Sequence, residues 1–289
     1  MLATMKEMLE DARKNHYAIP AFDVSNYEMM KAALDACEEE RSPALLMGLG
    51  VDLRGKAMRL MASMVSSASD VYDIPVCFHL DHADSFEMIQ AAVSAGFRSV
   101  MYDGSNLPLK ENMRNTAEVV RFAHSQGVTV EAELGHVGNA AVGNVEDGRE
   151  NENPEDTLTD PADVSRFVKA TDVDALAVAI GTAHGVYRKT PVLRIDRLDE
   201  ITAVCDRPLV LHGGSGTPDE QIKRAIRHGI TKINIYSDVV SALNRGLKSG
   251  LDGISNPATW PIYVFEEART AMREAIRAKI RAFGCAGRA

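Results

Sequence analysis

Residues 208–220 read PLVLHGGSGTPDE, and this stretch contains one complete transition from a strand to a helix. The apolar run PLVLH suits a buried β-strand. Four small residues follow as a turn, and TPDE has the pattern of a helix start, with a capping box and a proline at the first helical position. A strand that passes through a glycine-rich turn directly into a helix is the repeating unit of α/β folds.

The same transition recurs along almost the whole chain. The sequence predicts eight strands, each followed by a helical pattern, at residues 17–23, 43–48, 75–80, 97–103, 128–134, 175–180, 208–212 and 230–235. Continuous apolar strands need cover on both faces, so eight units predict one α/β domain over residues 1–289, a (β/α)8 TIM barrel with an additional C-terminal helical segment. The main alternative is an open doubly wound sheet, and it is weakened because no GxGxxG follows the first strand.

Composition and charge exclude several classes of partner. The formal net charge is -9, and phosphate backbones reward stripes of Lys and Arg that this chain lacks, so we expect no nucleic acid and no anionic membrane as partners. No apolar run is long enough to span a bilayer. The four cysteines lie far apart without a CxxC pair, which is typical of a reducing compartment, and we expect a cytoplasmic protein.

Polar side chains stand at the predicted carboxyl ends of the strands, where barrel enzymes hold their active sites. The set comprises Asp81, His82, Asp103, Glu133, His184, His212 and Asn234. A single histidine at a strand end is more often a packing residue than a ligand, but three imidazoles with one open position form a recurrent catalytic zinc site. His82, His184 and His212 are therefore candidate metal ligands.

The motif HLDH at residues 79–82 poses a geometric problem. In a regular strand Asp81 and His82 point to opposite faces, so both can serve one site only where the strand ends or bulges. His79 is then better explained as buried structure. A carboxylate beside a metal site is a natural general acid and base, which makes Asp81 the candidate for that role.

The glycine-rich turn at residues 213–216 suits an anion. Glycines let backbone N–H groups approach a phosphate, and a helix start adds a partial positive charge. Asn234 and Ser237, after the last strand, add donors from the other side. The sequence thus predicts a phosphate site next to the metal site, at the loops where barrels commonly hold phosphate.

At these residues the chain resembles the class II, zinc-dependent ketose-bisphosphate aldolases, the fructose- and tagatose-bisphosphate aldolase family. The matching stretches run through most of the chain in the family's order: YAIPAFDVSN, RSPALLMG, HLDHADS, SVMYDGS, VEAELGHVGN, DALAVAIGTAHGVY, PLVLHGGSG and KINIYSD. The resemblance implies a lyase that cleaves a ketose phosphate, its sugar-phosphate substrate, to dihydroxyacetone phosphate and an aldehyde. It also implies a homodimer or homotetramer.

The resemblance carries further implications for individual residues. His82, His184 and His212 would bind Zn²⁺, with Na⁺ or K⁺ as an additional cation. Glu133 and Asp103 would be carboxylates that contact the metal ligands or bind the metal as alternate ligands. Asp81 would act at the C4 hydroxyl, and Glu146, on the long polar loop, would move the C3 proton. The phosphate of dihydroxyacetone phosphate would be held by Gly185, Gly213, Gly214, Ser215, Asn234, Ile235, Tyr236 and Ser237. Lys232 is better explained as structural or electrostatic, because zinc chemistry needs no lysine imine.

Two departures from the family concern the distal end of the substrate. Relatives that use bisphosphates show an Asp-Pro-Arg motif whose arginine binds the distal phosphate, whereas this chain reads Asn256-Pro257-Ala258. Tyr236 also stands where relatives have a small residue or aspartate. We expect a weakened distal phosphate site. The alternative is that Arg269, Arg273 or an arginine of a neighbouring subunit replaces the missing one.

Two other functions stay open at the level of the sequence. A metal-dependent sugar-phosphate isomerase or epimerase would use the same enediolate but reprotonate it, and release of an aldehyde separates the two reactions. A non-catalytic sugar-phosphate-binding subunit would be expected to have lost metal ligands, whereas this chain retains three histidines and Asp81.

Overall fold

A computed structural model describes residues 1–138, 157–256 and 258–289. Its eight strands form a closed barrel in sequence order, β1 to β8, and every neighbouring pair is parallel, including β1 with β8. The strands span Ile19–Asp23, Ala44–Leu49, Val76–Ala83, Ser99–Tyr102, Thr129–Leu134, Ala175–Val178, Leu209–Leu211 and Ile230–Ile235. The predicted (β/α)8 barrel is confirmed.

Helices surround the barrel, and all of those described except one of four residues bury apolar side chains against the strands or neighbouring helices. Those of the described residues, α1 to α11, span Met5–Asn15, Tyr27–Glu39, Ala57–Ala68, Phe86–Ala95, Leu109–Ser125, Pro161–Thr171, Ile195–Val204, Asp219–Arg227, Ser237–Asp252, Pro261–Val264 and Glu266–Ala282. None of these helices is long and apolar enough to cross a membrane.

The strands are buried along their whole length except at one position. Seven of the eight contain only buried residues, as expected for parallel strands that are covered on both faces. The exception is β3, in which His82 is partly exposed at the carboxyl end. That end of the barrel therefore contains the opening to a site.

The additional C-terminal segment is helical, as predicted. The long helix α11 packs against α9 and α2, and it buries Met272, Ile276 and Ile280. Glu40, at the end of α2, accepts hydrogen bonds from Arg277 and Arg281 of α11. The segment thus covers the barrel where the last unit meets the first.

One predicted helix start differs from the structure. The sequence predicted a capping box at TPDE, but α8 begins at Asp219 with Pro218 as its N-cap and has no side-chain capping bond. The hydroxyl of Thr217 instead donates to the carbonyl of Gly213, at 3.3 Å. Thr217 therefore stabilises the glycine-rich turn rather than the helix.

Candidate active site

Three histidines from three strand ends meet at the carboxyl end of the barrel. His82 lies in β3, and His184 and His212 follow β6 and β7. Each offers a ring nitrogen within 4.8 Å of the other two, and the ring centroids of His82 and His212 are 4.7 Å apart. The structure thus brings the three candidate metal ligands together.

A bulge in β3 places Asp81 and His82 in the same site. The pairing of β3 with β4 shifts register between Leu80 and Ala83, and His82 has a left-handed backbone with φ of 47°. A regular strand would send one of the two side chains outward. The predicted irregularity is present, and it lies inside β3, which continues to Ala83.

Carboxylates hold two of the three imidazoles in a defined tautomer. Asp103 Oδ2 lies 2.9 Å from His82 Nδ1, and Glu131 Oε1 lies 2.8 Å from His212 Nε2. Since an ionised carboxylate only accepts hydrogen bonds, each of these ring nitrogens carries the proton. The lone pairs therefore sit on the other two nitrogens, His82 Nε2 and His212 Nδ1.

Those two lone-pair nitrogens face each other at 3.0 Å. Two acceptors at this distance repel unless a cation lies between or beside them. Histidine ligands of metals normally donate their second N–H to a carboxylate, which is the arrangement of His82 and His212. The donor set, with His184 as a third imidazole, thus fits a divalent transition metal such as zinc.

The titration behaviour of the site suits such ligands. Burial lowers the pKa of His212, and the neighbouring His82 lowers it further, so the ring stays neutral. Burial alone would raise the pKa of Asp103, but hydrogen bonds with His82 and Ser105 outweigh burial and hold this pKa well below its ordinary value. Neutral imidazoles backed by ionised carboxylates are the forms in which a metal binds.

Glu133 lies at the edge of the same cluster. Its Oε1 accepts the backbone N–H of Val137 at 3.0 Å, and its Oε2 lies 3.5 Å from His212 Nδ1. Burial raises its pKa well above the ordinary value, and the nearby Asp103 raises it further. With His82 and Asp103 it forms a second group of possible metal ligands.

Asp81 is buried on the other side of the histidines. The amide nitrogen of Asn234, at the end of β8, donates to its carboxylate oxygens at 3.1 and 3.3 Å. Asp81 Oδ2 is 4.0 Å from His82 Nε2. A carboxylate next to a candidate metal-binding nitrogen, and facing a cavity, is placed to exchange a proton with a bound ligand.

A small polar cavity opens beside Asp81 and His184. It is lined by Asp23, Asp81, His184, Gly185, Gly213, Ser215, Asn234, Tyr236 and Ser237. Ser237 begins α9, so the positive end of that helix points at the cavity rather than the start of α8. Six residues of the predicted phosphate set therefore line one cavity.

The turn after β7 needs glycine for reasons of shape. Gly213 has φ of +65°, and a Cβ there would lie 2.4 Å from the carbonyl oxygen of Ala183. At Gly214 a Cβ would lie 2.3 Å from Ile233 Cγ2. The Ser215 hydroxyl accepts the backbone N–H groups of Tyr236 and Asp238, at 3.1 and 3.3 Å. The turn is thus fastened between the ends of β6 and β8.

Three predicted residues stand apart from this arrangement. Gly214 and Ile235 do not line the cavity, because Gly214 packs against β8 and Ile235 is fully buried. Glu146, the predicted loop residue that moves the C3 proton, lies outside the described residues.

Sequence reasoning missed Asp23 and Glu131. Asp23 ends β1 and lines the cavity, and Glu131 lies two residues before Glu133 in β5. Both had a signal in the sequence. Asp23 is a polar residue at the carboxyl end of a strand, like the predicted site residues. Glu131 and Glu133 are two residues apart, which places both on the same face of the strand.

Two arginines were considered as ligands of a distal phosphate, and both form ion pairs with carboxylates of α2. Arg269 lies 2.7 Å from Glu28 and also donates to the carbonyl of Ile262. Arg273 lies 3.5 Å from Glu39. Neither is among the residues that line the cavity.

Comparison with known proteins yields one family over nearly the whole chain. The family model described as class II fructose-bisphosphate aldolase matches residues 3–288. The chain is 35% identical to the YdjI aldolase of Escherichia coli K12, with both chains covered completely and a TM-score of 0.87. It is 29% identical to a putative fructose-1,6-bisphosphate aldolase of Coccidioides immitis, with 98% and 97% of the two chains covered and a TM-score of 0.85. A fructose-bisphosphate aldolase of Campylobacter jejuni, 21% identical, shares the fold, with 100% and 97% of the chains covered and a TM-score of 0.82.

Proposed function

The chain belongs to the class II fructose-bisphosphate aldolase family, a family of lyases, and we propose that it reversibly cleaves a ketose 1-phosphate or ketose 1,6-bisphosphate. The products are dihydroxyacetone phosphate and an aldehyde. The observation that carries this proposal is the pair of facing lone-pair nitrogens, His82 Nε2 and His212 Nδ1, at 3.0 Å beside the carboxylate of Asp81.

Class II aldolases typically depend on a metal, and the donor set described above fits one. We propose that His82, His184 and His212 bind Zn²⁺, and that Glu133 and Asp103 support it or serve as alternate ligands. Bound zinc would supply electrostatic stabilisation of the negative charge that develops on the ketone oxygen when the C3–C4 bond breaks.

Side chains of this chain carry out the proton transfers. Asp81 accepts the proton of the C4 hydroxyl during cleavage and returns it during condensation, and Asn234 holds its carboxylate in place. Glu146 is our proposal for the residue that moves the C3 proton. Each of these groups acts on a substrate whose position is fixed by its phosphate.

The phosphate of dihydroxyacetone phosphate is proposed to bind between the glycine-rich turn and the start of α9. Gly185, Gly213, Ser215, Tyr236 and Ser237 line this part of the cavity. Free backbone N–H groups at a helix N-terminus attract an anion, and Na⁺ or K⁺ would help to balance the charge. Gly214 and Ile235 would support this site from behind.

The distal end of the substrate is proposed to lack a strong phosphate site. Ala258 cannot replace a bidentate cation, and Arg269 and Arg273 are engaged with α2. An arginine of a neighbouring subunit is the alternative source. We therefore propose that a ketose 1-phosphate is preferred over a bisphosphate.

We further propose a cytoplasmic homodimer or homotetramer. The four cysteines are free and buried, which fits a reducing compartment. Trp260, Ile262 and Tyr263, at α10, expose large apolar side chains of the kind that subunit interfaces cover.

The test is a condensation screen with dihydroxyacetone phosphate, a panel of phosphorylated and unphosphorylated aldehydes, and protein stripped of metal with a chelator. Carbon–carbon bond formation should be lost after chelation and return with added zinc. Conversion of a ketose phosphate without release of an aldehyde would instead indicate an isomerase or epimerase. Tight binding of the sugar phosphate without turnover would indicate a binding subunit.

A further inference from the structure

A lysine and a glutamate form an ion pair inside the barrel, directly beneath the histidine cluster. Lys232 Nζ, on β8, lies 2.9 Å from Glu131 Oε2, on β5, and both side chains are completely buried. Burying two charges costs more than packing two apolar residues in the same space, so such a pair is weak evidence of a role in stability. Its hydrogen bonds show what else it does.

Glu131 uses its second oxygen to hold a proposed metal ligand. Its Oε2 forms the ion pair with Lys232 Nζ, at 2.9 Å, and its Oε1 accepts from His212 Nε2, at 2.8 Å. Both contacts favour the ionised carboxylate of Glu131. This keeps the proton of His212 on Nε2 and leaves Nδ1 free to bind metal.

Lys232 orients Asn234 through a hydrogen bond. Its ammonium donates to Asn234 Oδ1 at 2.7 Å. An ammonium can only donate, so the amide of Asn234 must present its oxygen to Lys232 and its nitrogen to Asp81, as the 3.1 Å contact with Asp81 Oδ1 records. One lysine thus determines the orientation of the amide next to the proposed acid and base.

We propose that Lys232 is a positioning residue that sets the metal-binding tautomer of His212 through Glu131 and the orientation of the Asp81 carboxylate through Asn234. One branch ends at the proposed metal ligand His212 and the other at the proposed acid and base Asp81. This inference rests on the proposed function, because it assigns meaning to a metal at His212 and to proton transfer at Asp81.

The variant Glu131→Gln tests the first branch. Glutamine keeps the shape of the side chain but has one acceptor oxygen instead of two. Lys232 and His212 would therefore compete for that oxygen. If its oxygen faces Lys232, its NH₂ faces His212 and moves the ring proton to Nδ1. Zinc affinity, measured by competition with a chelating dye, should fall 10- to 100-fold.

The double variant Glu131→Gln/Lys232→Met separates the two branches and removes the buried charges together, so neither is left unpaired. Without Lys232 the glutamine oxygen can face His212, and zinc affinity should return to within about threefold of the parent value. Asn234 still lacks its hydrogen bond from residue 232. The kcat at saturating zinc should therefore remain on the order of 100-fold below the parent value, with little change in KM.

The control is Lys6→Met/Asp174→Asn, which removes an ion pair of 3.2 Å that involves α1 and the segment before β6. Zinc affinity and kcat should stay at parental values.

Three results would each overturn the proposal: equal zinc affinities of the parent and Glu131→Gln, no recovery of zinc affinity in the double variant, or a parental kcat in the double variant. If Glu131→Gln does not fold, the kcat of the double variant decides alone. A parent that neither binds zinc nor cleaves would refute the proposed function, and the inference with it, whereas parent activity with unaffected variants refutes the inference alone.

Discussion

At the scale of single residues, the site is defined by which nitrogen of each ring carries a proton. The carboxylates of Asp103 and Glu131 accept hydrogen bonds from His82 Nδ1–H and His212 Nε2–H, and this leaves two acceptor nitrogens facing each other. The three histidines could be predicted because they stand at strand ends. Glu131 has a weaker signal in the sequence, because it lies inside a strand and its importance follows from its contact with His212.

Removal of the Asp81 carboxylate should separate chemistry from metal binding. Asp81→Ala leaves the three histidines in place, so zinc stoichiometry should be unchanged, while cleavage should fall by about 10²- to 10⁴-fold because the C4 proton loses its acceptor. Elemental analysis and steady-state kinetics measure the two effects. Asp84→Ala, which removes an exposed carboxylate directly after β3, should have nearly normal turnover. Near-normal turnover of Asp81→Ala would remove Asp81 from the mechanism.

At the scale of elements, alternation within strands places the charged groups inside the barrel. His79 and Asp81, Glu131 and Glu133, and Lys232 and Asn234 are pairs two residues apart on β3, β5 and β8. The strands and the bulge in β3 could be predicted from apolar runs and from the conflict within HLDH. The start of α8 could not, because Thr217 bonds to the preceding turn instead of capping the helix.

The turn after β7 gives a prediction on stability and binding. Gly213→Ala combines a left-handed backbone with a Cβ 2.4 Å from Ala183 O, so it should lower the free energy of unfolding by about 2 kcal/mol or more and raise KM. Gly127→Ala has a similar φ, +69°, but no atom within 4 Å of its Cβ, so it should cost about 1 kcal/mol and leave KM unchanged. Denaturant unfolding and kinetics test this, and equal effects of the two variants would contradict it.

The ion pairs between α11 and the end of α2 predict how the free energy of unfolding depends on pH. Hydrogen bonds from Arg281 lower the pKa of Glu40, against a smaller opposing effect of burial, and bonds from Arg277 lower it further. A lowered folded-state pKa stabilises the fold above the unfolded-state pKa, and this stabilisation is lost as the pH falls through the folded-state pKa. Glu40→Gln should therefore cost about 1–2 kcal/mol near neutral pH and less at about pH 3, which lies below the unfolded-state pKa.

Denaturant midpoints of the parent and Glu40→Gln at both pH values measure this difference. Glu274→Gln is the control, because its carboxylate forms an exposed bridge to Arg277 within the same helix, at 2.9 Å, and should contribute little. A difference between parent and Glu40→Gln that does not shrink in acid would contradict the assignment.

At the scale of the whole molecule, the barrel gathers residues from seven strand ends into one place. Counting eight strand–helix units was sufficient to predict closure, since parallel strands require cover on both faces. Specificity is harder to predict, because the groups that we expect to contact the distal end of the substrate lie outside the strand ends. The candidates are in the C-terminal segment or, in the proposed oligomer, in a neighbouring subunit.

Substrate preference should therefore respond to residue 258. The parent chain should cleave fructose 1,6-bisphosphate or tagatose 1,6-bisphosphate poorly relative to a ketose 1-phosphate, and Ala258→Arg should raise kcat/KM for the bisphosphate about tenfold by adding a charge-assisted hydrogen bond. Ala258→Gln, which adds length without charge, should not. Efficient bisphosphate cleavage by the parent would show that another cation already holds the distal phosphate.

The most direct test of the account is an anomalous difference map at the zinc absorption edge, from crystals of the active, zinc-loaded protein. The account predicts one strong peak bonded to His82 Nε2, His212 Nδ1 and a ring nitrogen of His184. Crystals of active protein with no peak there, or with zinc bound elsewhere, would contradict it.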